Sequence, residues 1–326
     1  MRILLLAALL AQDPWPLETP FHELAERILS RKTTPSDRAD LRKLVDLMEA
    51  DRLPGPWWDE VRVATSKDGR QFSDLRTTAI RRASVPEAVV DSNGHVWLFY
   101  VDSNPKNLLH AVEEDRPFKT GLIGIGGLAA AKSEDGNRFA PVEIEIANAV
   151  QGEIVDPDIV LGADGVWRLY YLGVPAKDLA PDTPDPARSP GRHRFYLATS
   201  KDLVHWEQQG VAWTGPHGGA DPAVYRTGDG TYFILGGGSG RSSDGGRTFS
   251  ETRMSTGRWG QPDVVPVDGG FRLFYSTRAG IRSAFSSDGT AWKEEEGVRF
   301  REGADPSVVR MKDGSWRMYY KVKGRR

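Results

Sequence analysis

Ten short motifs in strict alternation constrain this 326-residue chain more than any other feature. The first element is Ser-x-Asp-Gly-x-x-aromatic. It occurs at Ser66 to Phe72, Ser133 to Phe139, Ser200 to Trp206, Ser242 to Phe249 and Ser286 to Trp292. The third copy carries Leu203 in place of Gly, and the fourth is one residue longer. The second element is an acid-proline pair or a variant of it, followed by a β-branched strand, a turn and an aromatic strand. Its copies begin at Pro86-Glu87, Asp156-Pro157, Asp221-Pro222, Gln261-Pro262 and Asp305-Pro306. Between the paired strands stand Asn93-Gly94, Asp164-Gly165, Asp229-Gly230, Gly269-Gly270 and Asp313-Gly314. Such dipeptides are strong two-residue hairpin signals.

Periodic self-similarity of this kind marks a repeat architecture. The alternation starts on a box and ends on an inner hairpin. A closed ring cut inside one repeat has this order, because the first box then completes the sheet begun by the last hairpin and no edge is left open. The fold expected is all-β: a five-bladed β-propeller over residues 57–326, closed by pairing of its N- and C-terminal strands. Thirty-one aromatic residues (Trp 10, Tyr 9, Phe 12), Gly 35 and Pro 21 agree with many strands and tight turns.

Residues 12–56 read as a helical extension. Phe21, Leu24, Ile28 and Leu29 follow helical spacing, and Thr34-Pro35-Ser36-Asp37 reads as a fresh helix start with Thr34 as its cap. Leu41, Leu44, Val45 and Met48 continue that helix on one face. A hairpin packed on the propeller side or base is expected. Residues 1–11 pair one cation with an apolar run and a small residue, the pattern of a signal peptide, so a secreted or periplasmic location is expected. No segment reaches the roughly 18 apolar residues of a membrane span.

Composition excludes several chemistries. The absence of cysteine removes disulfides, thiolate metal sites and a cysteine nucleophile. A net charge of −2 without a basic block gives no electrostatic footprint for nucleic acid. The six histidines lack metal-ligand spacing, so no metal site is assigned; a hard cation such as Ca²⁺ in the central channel is compatible with the oxygen-only side chains there.

In a propeller the innermost strands line the central channel, so the acid-proline pairs should ring one mouth. The candidate acids are Glu87, Asp156, Asp158, Asp221, Asp263 and Asp305. Carboxylates crowded into a funnel repel one another and must be protonated, paired or metal-bound. Repetition of Asp-Pro in three blades also fits a backbone-capping role. Loops joining second to third strands open on the same face, and two are long, about 102–120 and 175–194. His217 precedes Asp221 by four residues, Trp213 is a candidate sugar platform, and Arg81 and Arg82 stand before the first inner strand, where an arginine can bind a carboxylate. Trp57 and Trp58 fit packing of the helical extension. The boxes themselves read as structural, their Ser and Asp satisfying turn backbone and their aromatic plugging the gap between sheets.

Over residues 60 to 322 the pattern resembles the five-bladed glycoside hydrolases and transferases: arabinanases, β-xylosidases, invertases and levansucrases. Tyr196-Leu-Ala-Thr-Ser-Lys-Asp-Leu-Val-His-Trp206 is similar to their blade ending, and Val155-Asp156-Pro157-Asp158-Ile159 resembles their second blade. The resemblance implies a base or nucleophile aspartate, an orienting aspartate and a general-acid glutamate on the first three inner strands. Asp156 matches the orienting position. Glu87 stands in a displaced first position with Asp158 as its alternative, and Asp221 replaces the glutamate. The function implied is a glycoside hydrolase acting on an oligo- or polysaccharide. The alternatives are a non-catalytic glycan-binding or interaction propeller, and a sialidase-like hydrolase suggested by the box at Ser242 to Phe249, in which Arg82 would be required.

Overall fold

The computed structural model describes residues 23–25, 27–29, 32–51, 55–175, 194–215, 219–254 and 259–324. The leader, His217 and most of the second long loop lie outside these residues.

Helix α1 (Pro35–Asp51) starts where the capping signal sits. The Asp37 carboxylate accepts from the Thr34 N–H at 2.9 Å and from its hydroxyl at 2.7 Å, while Thr34 Oγ1 accepts from the Asp37 N–H at 3.3 Å. Two donors at the helix start are thereby satisfied. Strands β1 (Asp59–Ser66) and β2 (Ser73–Arg81) follow, then four contiguous blades. Blade 1 contains β3 (Ala83–Val90), β4 (Val96–Asp102), helix α2 (Pro105–Glu113), β5 (Gly121–Leu122), β6 (Gly126–Ser133) and β7 (Ala140–Val142). Blade 2 contains β8 (Glu145–Ala147), β9 (Gly152–Leu161), β10 (Trp167–Pro175), β11 (Arg194–Ser200) and β12 (His205–Trp213). Blade 3 contains β13 (Ala223–Arg226), β14 (Tyr232–Leu235), β15 (Ser239–Ser242) and β16 (Ser250–Glu251). Blade 4 contains β17 (Gly260–Val267), β18 (Gly270–Thr277), β19 (Gly280–Ser286) and β20 (Lys293–Glu294). The last hairpin, β21 (Ala304–Arg310) and β22 (Trp316–Lys323), joins β1 and β2 as blade 5 in the order β2-β1-β22-β21.

Ring closure is therefore as the motif order requires. β1 pairs antiparallel with β22 from Asp59↔Lys323 to Ser66↔Trp316 without a register break. The boxes form the turns between third and fourth strands. In each, the Asp Oδ1 accepts backbone N–H groups of the turn, as Asp135 does from Asn137 and Arg138 at 2.8 and 2.9 Å. The position after that Asp adopts left-handed backbone in the boxes of blades 1, 4 and 5, at Gly136, Gly289 and Gly69, and Leu203 takes it in blade 2 at φ 67°. Glycine is the residue that this geometry favours.

Blades are fastened to one another at these boxes. The Tyr170 hydroxyl donates to Gly246 O at 2.6 Å and the Tyr225 hydroxyl to Gly289 O, joining blade 2 to 3 and blade 3 to 4. Arg272 Nη1 donates to Gly69 O at 3.2 Å, and the Tyr319 hydroxyl to Gly136 O at 2.8 Å, joining blade 4 to 5 and blade 5 to 1. Leu203 breaks the pattern in blade 2. There the indole of Trp206 donates to Leu203 O at 3.2 Å, and Phe99 of blade 1 meets that indole edge-on at 5.8 Å.

The helical extension does not sit on the side or base. Leu41, Leu44, Val45 and Met48 are buried with Leu108 and Val112 of α2, in the loop between β4 and β6. That loop opens on the face where the inner strands begin. Arg38 pairs with Asp115 at 2.7 Å, and Lys106 with Glu49 at 3.4 Å. The first long loop thus folds into a helix whose apolar face recruits α1.

Candidate functional site

Every inner strand except the short β13 carries a bulge at its X-Pro step, seen as register breaks near Ser84/Glu87, Tyr170/Leu172, Gly260/Asp263 and Ala304/Ser307. The residue before each proline is left-handed in all five blades: Val85 (φ 45°), Asp156 (53°), Asp221 (54°), Gln261 (52°) and Asp305 (49°). Asp adopts this conformation with tolerance, whereas a β-branched residue rarely does. Bulges of this kind re-aim side chains and are common beside active sites.

The bulge sorts the acids into two tiers. The outer tier is the residue before proline and the inner tier is the residue after it. Together they line a cavity of about 20 Å³ with the prolines between them. That is room for about one water molecule. A sugar ring does not enter it, so a glycan would have to sit above the outer tier.

Inner-tier side chains are tied to the neighbouring blade. Glu87 Oε1 accepts from Ile159 N at 3.1 Å, Asp158 Oδ2 from Val224 N at 3.0 Å, and Asp263 Oδ2 from Val308 N at 2.7 Å. In blade 5 Ser307 holds this place: its Oγ accepts from Ala88 N at 2.9 Å while its hydroxyl donates to Glu87 Oε2 at 2.9 Å. The fifth place is Ala223, which has no acceptor, so the junction of blades 3 and 4 lacks this bond. Burial first, then mutual repulsion, pushes Glu87 and Asp158 well above the ordinary carboxylate range, and burial raises Asp263 to about 7.

The outer tier holds Asp156, Asp221 and Asp305 around one ammonium, that of Lys321. Lys321 Nζ contacts Asp305 Oδ2, and Asp156 Oδ2 accepts from Asp221 N at 3.2 Å. The Asp305 side chain is only 2% exposed, and Oδ1 has no hydrogen-bond partner. Burial raises Asp156 to about 6. Burial and the charges of Asp156 and Asp305 push Asp221 much further up. Asp305 is raised by burial and held back by Lys321. Asp59, at the start of β1, faces the same ammonium and is raised by burial to about 6. Lys321 and Asp59 were missed in the sequence because they belong to neither motif; the available signal was a lysine directly after the buried pair Tyr319-Tyr320.

The other sequence candidates fall elsewhere. Arg82 makes a two-point ion pair with Glu49 at 2.8 and 3.1 Å and lies over the Trp58 ring at 4.4 Å, so its guanidinium fastens α1 to the propeller. Trp213 is 4% exposed and stacks on Phe195 at 6.0 Å, which leaves no open face for a sugar. One oxygen of each inner-tier acid accepts a backbone N–H of the next blade. Among the described residues no cluster of three or more His, Cys, Asp or Glu is arranged to hold a metal. Nor is any described helix long and apolar enough to cross a membrane.

No family model and no curated protein matches the chain. Solved structures do. An α-L-arabinofuranosidase from Clostridium thermocellum superposes with TM-score 0.50 at 16% identity, covering 73% of this chain and 81% of its own. A thermostable family-43 glycoside hydrolase gives 0.53 at 11% identity, with 76% and 91% covered. An endo-1,4-β-xylanase from Bacteroides thetaiotaomicron gives 0.51 at 13%, with 74% and 86% covered. The chain has the five-bladed β-propeller fold seen in these glycoside hydrolases.

Proposed function

We propose that the protein is a secreted, glycoside hydrolase-like protein that takes an oligo- or polysaccharide at the funnel mouth. One observation carries the reading: Asp156, Asp221 and Asp305 occupy the equivalent left-handed position before proline on three different blades and line one cavity. Glycoside hydrolysis needs one protonated and one ionised carboxyl flanking the glycosidic bond. Asp221, held neutral by burial and by its anionic neighbours, is the acid that protonates the leaving oxygen. Asp305, opposite Lys321, is the ionised partner that receives a proton from water or attacks the anomeric carbon. Asp156 binds the Asp221 backbone and places it. Glu87 and Asp158 are assigned to blade fastening rather than catalysis.

Reducing-sugar release from a panel of plant and microbial polysaccharides tests this, with Asp156→Asn and Asp221→Asn as controls. Turnover should fall by about 10²–10⁴ in Asp221→Asn. Release that persists in both variants would remove the outer tier from the chemistry. A second reading, glycan binding without turnover, is favoured by the one-water cavity. Calorimetric binding of a glycan that is never cleaved would establish it. Export is supported by the apolar run after Arg2, and N-terminal sequencing of protein recovered outside the cytoplasm tests it.

A further inference from the structure

Lys321 is the cation common to the whole outer tier. Its ammonium acts on Asp59 from β1, Asp156 from β9, Asp221 from the approach to β13, and Asp305 from β21. The remaining charges around this cluster are Lys323, which acts on Asp59, and Glu153, which acts on Asp156. Yet the ammonium is not shared equally, because direct contact is made with Asp305. The Lys321 backbone is fixed by strand pairing, opposite Ala304 on one side and Val61 on the other.

We infer that Lys321 is the positioning residue of the funnel mouth, fixing Asp305 as the ionised carboxylate and leaving Asp221 to carry the proton. Asp59 is the counterweight: by drawing on the same ammonium it limits how strongly Asp305 is held. This assignment rests on the hydrolase reading for its use, but its charge pattern exists whether or not a glycan is cleaved.

The test is a ¹³C-carboxyl NMR titration of the full chain with labelled aspartate, the two resonances assigned through Asp305→Asn and Asp221→Asn. In the wild type Asp305 should titrate below Asp221. Lys321→Met should raise the Asp305 midpoint by about one pH unit or more, and Lys321→Arg should keep it near the wild-type value. Asp59→Asn should move the Asp305 midpoint down, which gives a reading of opposite sign should Lys321→Met not fold. Where a substrate is found, the acid limb of the kcat/KM profile should follow these midpoints. The inference is overturned if Asp221 titrates below Asp305, or if neither the Lys321 nor the Asp59 variants move Asp305. Expected midpoints without hydrolysis of any glycan would retain the Lys321 assignment and remove the hydrolase reading alone.

Discussion

Ser307 donates its hydroxyl to Glu87 Oε2 at 2.9 Å across 220 residues of chain. The other Glu87 oxygen accepts from Ile159 N at 3.1 Å, so one side chain binds blades 5, 1 and 2 together. Glu87→Ala should therefore destabilise the protein by about 2–4 kcal/mol in urea unfolding, because two buried partners lose their acceptor. Glu87→Gln keeps one acceptor, for Ile159 N, and turns an amide NH2 donor toward Ser307 Oγ, so it should cost less than Glu87→Ala, about 1 kcal/mol. Equal losses in the two variants would mean that the acceptor facing Ser307, rather than the one facing Ile159, holds the junction.

The buried carboxyls set an unusual pH dependence. Asp156 and Asp59 titrate at about 6 and Asp263 at about 7 in the folded chain. Unfolded Asp titrates near ~3.9. The folded state then binds more protons between these values, so their contribution is full below about pH 4 and is lost as pH rises through 6 and 7. Asp91 and Asp244, lowered to about 2 by turn hydrogen bonds that outweigh their desolvation, lose their contribution only in strong acid. Thermal stability should fall between about pH 4 and about pH 7, by on the order of 5 °C, and Asp263→Asn should flatten that slope. A Tm that rises steadily over this interval contradicts the assignment.

Closure between blades 5 and 1 depends on Tyr319, whose buried hydroxyl donates to Gly136 O. Tyr319→Phe leaves that carbonyl without its donor and should cost about 1–2 kcal/mol in denaturant unfolding. The ring itself stays packed, since Phe139 still meets residue 319 edge-on, at 5.5 Å in the present chain. An unchanged midpoint would show that water replaces the hydroxyl without penalty.

Val85 holds a left-handed backbone at φ 45°, in the place that Asp occupies in three other blades. A β-branched residue is strained there, and Asn is tolerated. Val85→Asn should raise stability by about 0.5–1 kcal/mol by differential scanning calorimetry. A loss would mean that the contacts of Val85 with the blade 1–2 core outweigh the backbone strain.

The blade count, the hairpins, the box turns, the Thr34 cap and the shared N- and C-terminal blade were legible in the sequence. Each rests on local chemistry: alternation at period two, left-handed glycines, and side chains that bond their own turn. The six candidate acids were also found, and all six line the one central cavity. Their division into two tiers was not legible. Asp156 and Asp158 are two residues apart on one strand, so spacing alone puts them on one face; only the bulge at Pro157 and the presence of Val224 N–H across the blade junction separate a mouth carboxyl from a fastening one. Trp213 and Arg82 were misplaced for the same reason, because their partners Phe195 and Glu49 lie on other elements. Lys321 meets Asp305 across the β21–β22 hairpin, and Asp59 joins them only once β22 pairs with β1. The sequence thus determined which strands exist and how many blades close the ring, since turns and periodicity act over a few residues. The tertiary structure decided which charges share a low-dielectric mouth, since that depends on neighbours brought together from opposite ends of the chain.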